Sequence, residues 1–355
     1  MSNFPLPSIA FLSPAREKCG VSDYGEYLFA ELAKQVNVKV HAPGWPFPLE
    51  ANNADLIHIQ HQYFLFGGVA PWKNTFYKVL WSARRPVILT AHEFVEPAGS
   101  LPRKMSIRLT NHLNFIHPSV HRILVHTRED MERMGRSGIP KDRITVVRHG
   151  VPPAPELPGK DFSKKVLDAQ DRFIITLFGF LSLRKGHSLA IEAMRSLPDD
   201  CLLLLAGGKH PDDHTTYSEE LQGLIHHFGL QNRVRITGYL SSNEVKQVMS
   251  ATDLVIAPFS ESSGSGSMAF AFACAKPVLA SNIPPHREIL AETPYSLCMM
   301  NSIEPKDVAG IIETLRTDKA LLDGLSRGAR RYATDHTYAR MAAETVAIYR
   351  TVLSE

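Results

Sequence analysis

Gly150-Val-Pro-Pro-Ala-Pro-Glu-Leu-Pro-Gly159 carries four prolines in ten residues. Proline locks φ and removes an N–H donor, so neither a helix nor a strand continues through this stretch, and it reads as a linker. Before it, short apolar runs at 8–12, 38–41, 56–60, 87–90, 122–125 and 144–147 alternate with helical patterns such as 22–35, 102–114 and 128–134. After it the alternation begins afresh, with runs at 173–178, 202–206, 234–237, 254–257 and 277–280. Helical patterns follow at 307–315 and 319–333, and the tail 338–353 is an amphipathic helix with no strand after it. Apolar strands interleaved with helices predict parallel sheets covered on both faces. The expectation is two α/β halves whose ligands bind outside the carboxyl ends of the strands, in the cleft between the halves.

Composition bounds the function. A chain of 355 residues exceeds the ~250–300 at which one core splits into two domains. With 39 basic against 36 acidic residues the net charge is +3, too small an excess for a nucleic-acid footprint. Cys19, Cys201, Cys274 and Cys298 lie far apart, without a zinc or disulfide spacing, which suits a reducing cytoplasm. No apolar run approaches the ~18 residues of a membrane span, and the N-terminus lacks a signal-peptide pattern.

Four segments could carry chemistry. The loop Arg16-Glu-Lys-Cys-Gly-Val-Ser-Asp-Tyr-Gly25 places Gly20 before a helix whose first amides favour an anion; an ordinary βα turn is the alternative. In Leu181-Ser-Leu-Arg-Lys-Gly-His187, the cations Arg184 and Lys185 follow a strand and could neutralise a diphosphate, or form a solvated basic turn. Glu261-Ser-Ser-Gly-Ser-Gly-Ser-Met-Ala269 offers small donors at a helix start: Gly264, Ser265, Gly266 and Ser267. Gly264, Gly266 and Ala269 match a dinucleotide fingerprint, but the next strand ends in Ser281-Asn282 without the ribose-holding acid, which disfavours a nicotinamide enzyme. Among the sixteen histidines, His61 and His92 fall at strand ends, with Glu93 or Glu96 as a carboxylate partner; a satisfied structural role is the alternative. His58 and His61, three apart on a strand, point to opposite faces and make a poor metal pair. His112, His117, His121 and His126 read as surface or satisfied residues.

The order of several short segments is similar to that of the retaining glycosyltransferases of family four (group 1), which have the GT-B fold. The carriers are Cys19-Gly-Val-Ser22, Val146-Val-Arg-His-Gly-Val151, Phe178-Gly-Phe-Leu-Ser-Leu-Arg-Lys-Gly186 and Leu204-Leu-Ala-Gly-Gly208. Arg233-Val-Arg-Ile-Thr-Gly-Tyr-Leu240, Ala273-Cys-Ala-Lys-Pro-Val278 and the final helix from His336 complete them. The resemblance implies two Rossmann-like domains facing a cleft: residues 1–150 on the acceptor side, a hinge at 151–165, a donor domain at 166–335, and a closing helix at 336–355 that returns to the first domain.

It also implies roles. Gly20 would present its amide to the donor phosphate, His92 would touch the transferred sugar, and Lys185 would hold the diphosphate. Gly238 and Tyr239 would meet the nucleobase, and the turn from Gly264 to Ser267 would meet sugar and phosphate. His61, Tyr63, His92 and Glu93 would border the acceptor. Two positions depart from the family: Phe180 stands where an arginine is usual, and Phe270 where the second acid of a Glu-x7-Glu pattern holds the ribose. Arg184 would supply the missing charge, and Glu261 would substitute for the first acid. The variants Ser265-Gly-Ser-Met-Ala-Phe-Ala271 and Gln60-His-Gln-Tyr-Phe-Leu-Phe-Gly-Gly68 resemble a divergent branch.

The expected activity is metal-independent transfer of a hexosyl group from a nucleotide sugar, without a cofactor and with retention of configuration. The acceptor is left open among saccharides, lipid-linked molecules and small molecules, and contact with a membrane surface is kept as a further partner. The alternatives are a sugar phosphorylase or hydrolase on the same scaffold, or a non-catalytic binder of sugar or nucleotide.

Overall fold

The computed structural model describes residues 6–15, 19–209 and 215–355. Arg16, Glu17 and Lys18, which open the first candidate loop, lie outside the described residues.

The chain forms two compact units, Met1–Gly150 with Tyr338–Glu355, and Val151–Thr337. In the first unit the elements run β1 (Ser8–Leu12), α1 (Gly20–Leu32), β2 (Asn37–His41), β3 (Leu56–His61), α2 (Phe76–Ser82), β4 (Val87–Ala91), α3 (Leu101–Phe115), β5 (Val120–Val125), α4 (Arg128–Arg136) and β6 (Ile144–Val146). Its sheet is parallel, in the order β2-β1-β3-β4-β5-β6. Every residue of β3 and β4 is buried, as a parallel sheet covered on both faces requires. At the edge, β2 is mostly exposed.

The second unit runs α5 (Lys160–Val166), β7 (Phe173–Phe178), α6 (His187–Ala193), β8 (Cys201–Ala206), α7 (Tyr217–His227), β9 (Val234–Ile236), α8 (Ser242–Ala251), β10 (Leu254–Ala257), α9 (Gly266–Ala273), β11 (Val278–Ala280), α10 (Pro284–Glu292), β12 (Cys298–Met299), α11 (Pro305–Thr317) and α12 (Lys319–Asp335). Its parallel sheet has the order β12-β11-β10-β7-β8-β9, a doubly wound arrangement. Strand β12 escaped the sequence reading because two residues leave no periodicity to detect.

The hinge implied at 151–165 is too long, whereas the proline-rich stretch read at 150–159 ends where α5 begins. Prolines end at Pro158, and from Lys160 the chain is helical and packs on α8. Lys160 and Lys164, one turn apart, both reach the Asp253 carboxylate, at 2.5 and 2.9 Å. That ion triad and the buried Ser163 fasten α5 to the second unit. At the other end the closing helix, α13 (Tyr338–Ser354), starts at 338, two residues later than expected. His336 still belongs to the end of α12, its backbone N–H bonded to Tyr332 O.

Helix α13 lies in the first unit. Tyr338, Met341, Ala342, Val346, Tyr349 and Val352 recur at helical spacing and pack with Ile9, Phe11, Tyr24, Leu28 and Leu32. Gly150 is needed where the helix begins, since a Cβ there would sit 2.6 Å from the Tyr338 ring. At its far end the Tyr349 hydroxyl is 2.6 Å from His58 Nδ1 inside the core. Tyr349→Phe leaves that buried imidazole nitrogen without its partner and should cost the first unit about 1–3 kcal/mol. Urea unfolding followed by a probe in the first unit measures it, and an unchanged midpoint would show the bond carries no stability.

Candidate functional site

In the second sheet the chain moves from β7 to β8 and β9 on one side, then crosses to β10 on the other. The carboxyl ends of β7 and β10 therefore flank the switch point where open α/β sheets bind ligands. The loops leaving these two strands are the ones that carry Arg184–Lys185 and Glu261–Ser267.

The loops are zipped together. Ser260 N–H donates to Arg184 O at 2.9 Å, and a Cβ on Gly186, whose φ is +69°, would stand 2.2 Å from Pro258 O. Lys185 is the side chain thereby trapped. Its Nζ donates to Phe178 O at 2.9 Å, approaches Ser267 Oγ at 3.5 Å, and lies 5.6 Å from the Phe259 ring centre. Any side chain on Gly179 would collide with it, at 2.1 Å. Burial, with Arg184 adding a like charge, pulls the amine down to about 7. A cation held this way gains most from an arriving anion, because the anion restores the charged form. Arg184 is exposed, and so is Glu261.

Opposite the ammonium stands the first turn of α9. Ser265 is its N-cap, accepting from Met268 N–H at 3.3 Å, and its Oγ is 2.9 Å from Ser267 Oγ. Gly264 takes a φ of +106°, and beside Gly266 there is open space for a Cβ. The first amides of α9 thus sit next to two hydroxyls and a half-buried amine, an arrangement suited to phosphate oxygens. Phe270, one turn further, packs on Phe178 with ring centres 5.6 Å apart, so no carboxylate enters from that position.

The neighbouring loops are set by close backbone approach. A Cβ on Gly207 would be 2.1 Å from Gly179 O, and one on Gly208 would be 2.8 Å from Tyr239 N. Gly207 N–H donates to Thr237 Oγ1 at 3.1 Å, and Gly238 adopts a φ of +72°. Phe180 and the half-exposed Tyr239 stack with ring centres 6.4 Å apart and planes 29° from parallel. The structure therefore gathers Lys185, Ser265, Ser267, Phe180 and Tyr239 along one edge of one sheet.

In the first unit the sequence expectations fare unevenly. Gly20 opens α1 and is exposed, and no atom of the described residues lies within 4 Å of where its Cβ would stand. His61 needs a correction as an acceptor-side residue. Strand β3 extends through it, so its side chain follows Ile57 and Ile59 into the core. It is fully buried beside Phe76 and Phe115, with ring centres 4.7 and 5.0 Å away, and burial pushes it down to about 3. Tyr63 is corrected likewise: it is buried, and its hydroxyl donates to Asn111 Oδ1 at 2.6 Å. Glu93 accepts the Tyr63 backbone N–H at 3.0 Å, which gives its carboxylate a structural task.

His92 stays at the carboxyl edge, half-buried. Its Nε2 is 2.8 Å from Gln60 Oε1, and its ring meets Tyr24 edge-on, with centres 4.6 Å apart. Burial first, then the neighbouring imidazoles, hold it well below its ordinary value, so it is neutral at pH 7. Around Tyr24 the structure also collects His126 and His149, at 5.3 and 5.2 Å. The sequence reading missed this cluster. His126 is buried, its Nδ1 2.9 Å from Val147 O, and His58 is bonded to Thr90 and Tyr349. Only the alternation of His58 and Gln60 with Ile57 and Ile59 hinted at a polar interior face.

Comparison with known proteins finds two family models, Glycosyl transferases group 1 over residues 159–332 and Glycosyltransferase Family 4 over residues 41–154. The D-inositol 3-phosphate glycosyltransferase of Xylanimonas cellulosilytica is 25% identical over 236 residues, 64% of this chain and 56% of that protein. The protein of the same name from Jonesia denitrificans is 25% identical over 221 residues, 59% of this chain and 51% of its own length. The chain thus spans about half the length of these curated relatives. Among solved structures, Anabaena Alr3699/HepE in complex with UDP and glucose superposes with a TM-score of 0.77 at 19% identity, covering 97% of this chain and all (100%) of that one. Sucrose-phosphate synthase from Thermosynechococcus elongatus gives 0.78 at 18% identity, covering 98% and 99%. Both share its GT-B fold.

Two outcomes follow from the titrating groups. An anion seated on Lys185 raises its pKa from about 7, so binding of sulfate, which keeps one charge state over this range, should take up nearly one proton at pH 8 and almost none at pH 6. Calorimetry in buffers of different ionisation enthalpy reads the uptake, and equal values at both pH values would place the anion elsewhere. His58, His61 and His126 are lowered to about 3 and His149 to about 4, all by burial. Unfolding lets them take up protons below pH 6.5, so stability falls as the pH drops from 6.5 toward 4, each buried histidine steepening the fall. A urea midpoint of the first unit that stays flat over this range would contradict the assignment.

Proposed function

The chain belongs to the glycosyl transferases of group 1, and from that premise we propose that it transfers a hexosyl group from a nucleotide-activated donor to an acceptor hydroxyl, with retention of configuration. The observation that carries the reading is the half-buried Lys185 amine, held between two loops at the switch point and facing the first turn of α9. The donor diphosphate lies against Lys185, Ser265, Ser267 and the amides of Gly266 and Ser267, with Arg184 adding charge from the exposed side. Its base lies along Gly238 and Tyr239, beside Phe180. In the first unit, Gly20 opens α1 with an exposed position and His92 presents a neutral imidazole at the carboxyl edge of its own sheet.

During transfer the bond from the anomeric carbon to the diphosphate oxygen breaks, and the acceptor oxygen bonds to that carbon on the same face. The acceptor proton passes to the departing phosphate oxygen. Negative charge grows on the diphosphate as the bond breaks, and Lys185 and the α9 amides stabilise it where it develops. In this reading protein cations and amides do the neutralising, so a metal ion is not part of the proposed reaction. UDP is the first nucleotide to try, since the HepE structures hold it.

A non-catalytic binder is the second reading, favoured by Phe270 packing where an acid would hold the ribose. Calorimetry against a panel of nucleoside diphosphates, followed by mass spectrometry of reactions with the matching nucleotide sugars, separates the two. Micromolar binding of one base with turnover supports transfer, and binding without turnover of any donor supports the second reading. Within the first, Lys185→Ala should lower kcat by about 10²–10³-fold. An unchanged rate would remove Lys185 from the mechanism.

A further inference from the structure

Helix α3 is apolar on two sides. Ile107, Phe115 and the buried Thr110, Asn111 and Asn114 turn one face into the first unit. On the opposite face Leu101, Met105 and Leu109, spaced by four, are 68%, 60% and 50% exposed. Long apolar side chains aligned in this way lose free energy in water, and such stripes mark interaction surfaces. The charges around them are of one sign: Arg103, Lys104 and Arg108 are all exposed, and the helix contains no acidic residue. The loop before α2, fastened to α3 by Thr110 Oγ1 donating to Val69 O at 2.8 Å, presents Trp72, 77% exposed, and the exposed Lys73.

From this combination we infer that the outer face of α3, together with the Trp72 loop tied to the same helix, docks on an anionic lipid surface. An apolar stripe bordered by cations suits the boundary between acyl chains and negative headgroups, while tryptophan favours the same depth. A water-soluble anionic partner would meet the cations but leave the stripe wet, and a second copy of the same helix would bring like charges together. Among the described residues no helix is long and apolar enough to cross a membrane, so the contact is peripheral. The inference does not depend on the transferase reading; if both hold, the acceptor is reached at a membrane surface.

The test is co-sedimentation of the full chain with phosphatidylcholine vesicles, pure or containing about 30% phosphatidylglycerol, across a salt series. The expected result is binding to the anionic vesicles that weakens as salt rises. Leu101→Ser combined with Met105→Ser and Leu109→Ser should reduce it about tenfold or more, since it removes the inserted stripe. The substitutions alter exposed positions only, and circular dichroism checks that the fold is kept. Arg103→Gln with Lys104→Gln and Arg108→Gln should abolish the preference for anionic over neutral vesicles, which keeps the question decidable if the serine variant misfolds. Failure of the unaltered chain to bind anionic vesicles at low salt would overturn the inference. So would serine-variant binding equal to the parent's, or a dimer that the serine variant dissolves while vesicles capture nothing. None of these readouts uses transfer activity, so their failure leaves the function of the second unit untouched.

Discussion

Ile9, Phe11, Leu56, Ile88 and Leu124 point to one face of the first sheet, and a parallel sheet cannot leave such a face in water. Helix α1 covers part of it with Tyr24, Leu28 and Leu32. The remainder is covered by Tyr338, Met341, Val346, Tyr349 and Val352, from the far end of the chain. The first unit is therefore incomplete until the last seventeen residues of helix have been made. Much of the local structure follows from that closure, including the glycine at 150 that admits Tyr338 and the burial of His58 under Tyr349.

Closure also creates the polar interior of that unit. Once α1 and α13 seal the face, the side chains of His58, Gln60, Thr90, His92 and His126 are withdrawn from bulk water, and each must find a partner. Gln60 bridges between His58 and His92, at 3.4 and 2.8 Å. Burial keeps these imidazoles neutral, so the edge of the sheet around His92 offers hydrogen bonds and ring faces in place of fixed charge. The second unit works in the opposite sense. There the glycines at 179, 186 and 207 let three loops approach so closely that one ammonium, Lys185, is held at the sheet edge beside a helix start. In a chain of near-neutral net charge, that is where a cation, two hydroxyls and the first amides of a helix come together.

The alternation of apolar runs predicted both sheets strand for strand apart from β12, because buried parallel strands leave a continuous apolar signature. The glycine- and serine-rich loops were equally legible, since small residues at a strand-to-helix turn have few other uses. His61 was misplaced because one more residue of strand reverses the face to which a side chain points, and Tyr63 because the short 3-10 turn that follows folds it back into the core. The prolines marked the linker's end correctly at 159, while the hinge implied as far as 165 overran α5, whose attachment depends on Asp253, about ninety residues away, which local pattern does not reveal.

The sequence by itself determined the fold class, the two-unit division and which loops leave the carboxyl ends of the strands, all consequences of short-range periodicity and of proline and glycine geometry. Tertiary structure decided the state of the side chains. Lys185 brought down to about 7, His126 drawn in beside Tyr24 and Leu101 left facing water differ little as residues in a string. They are separated only by what packs around them, because desolvation and neighbouring charge are properties of a place in the fold.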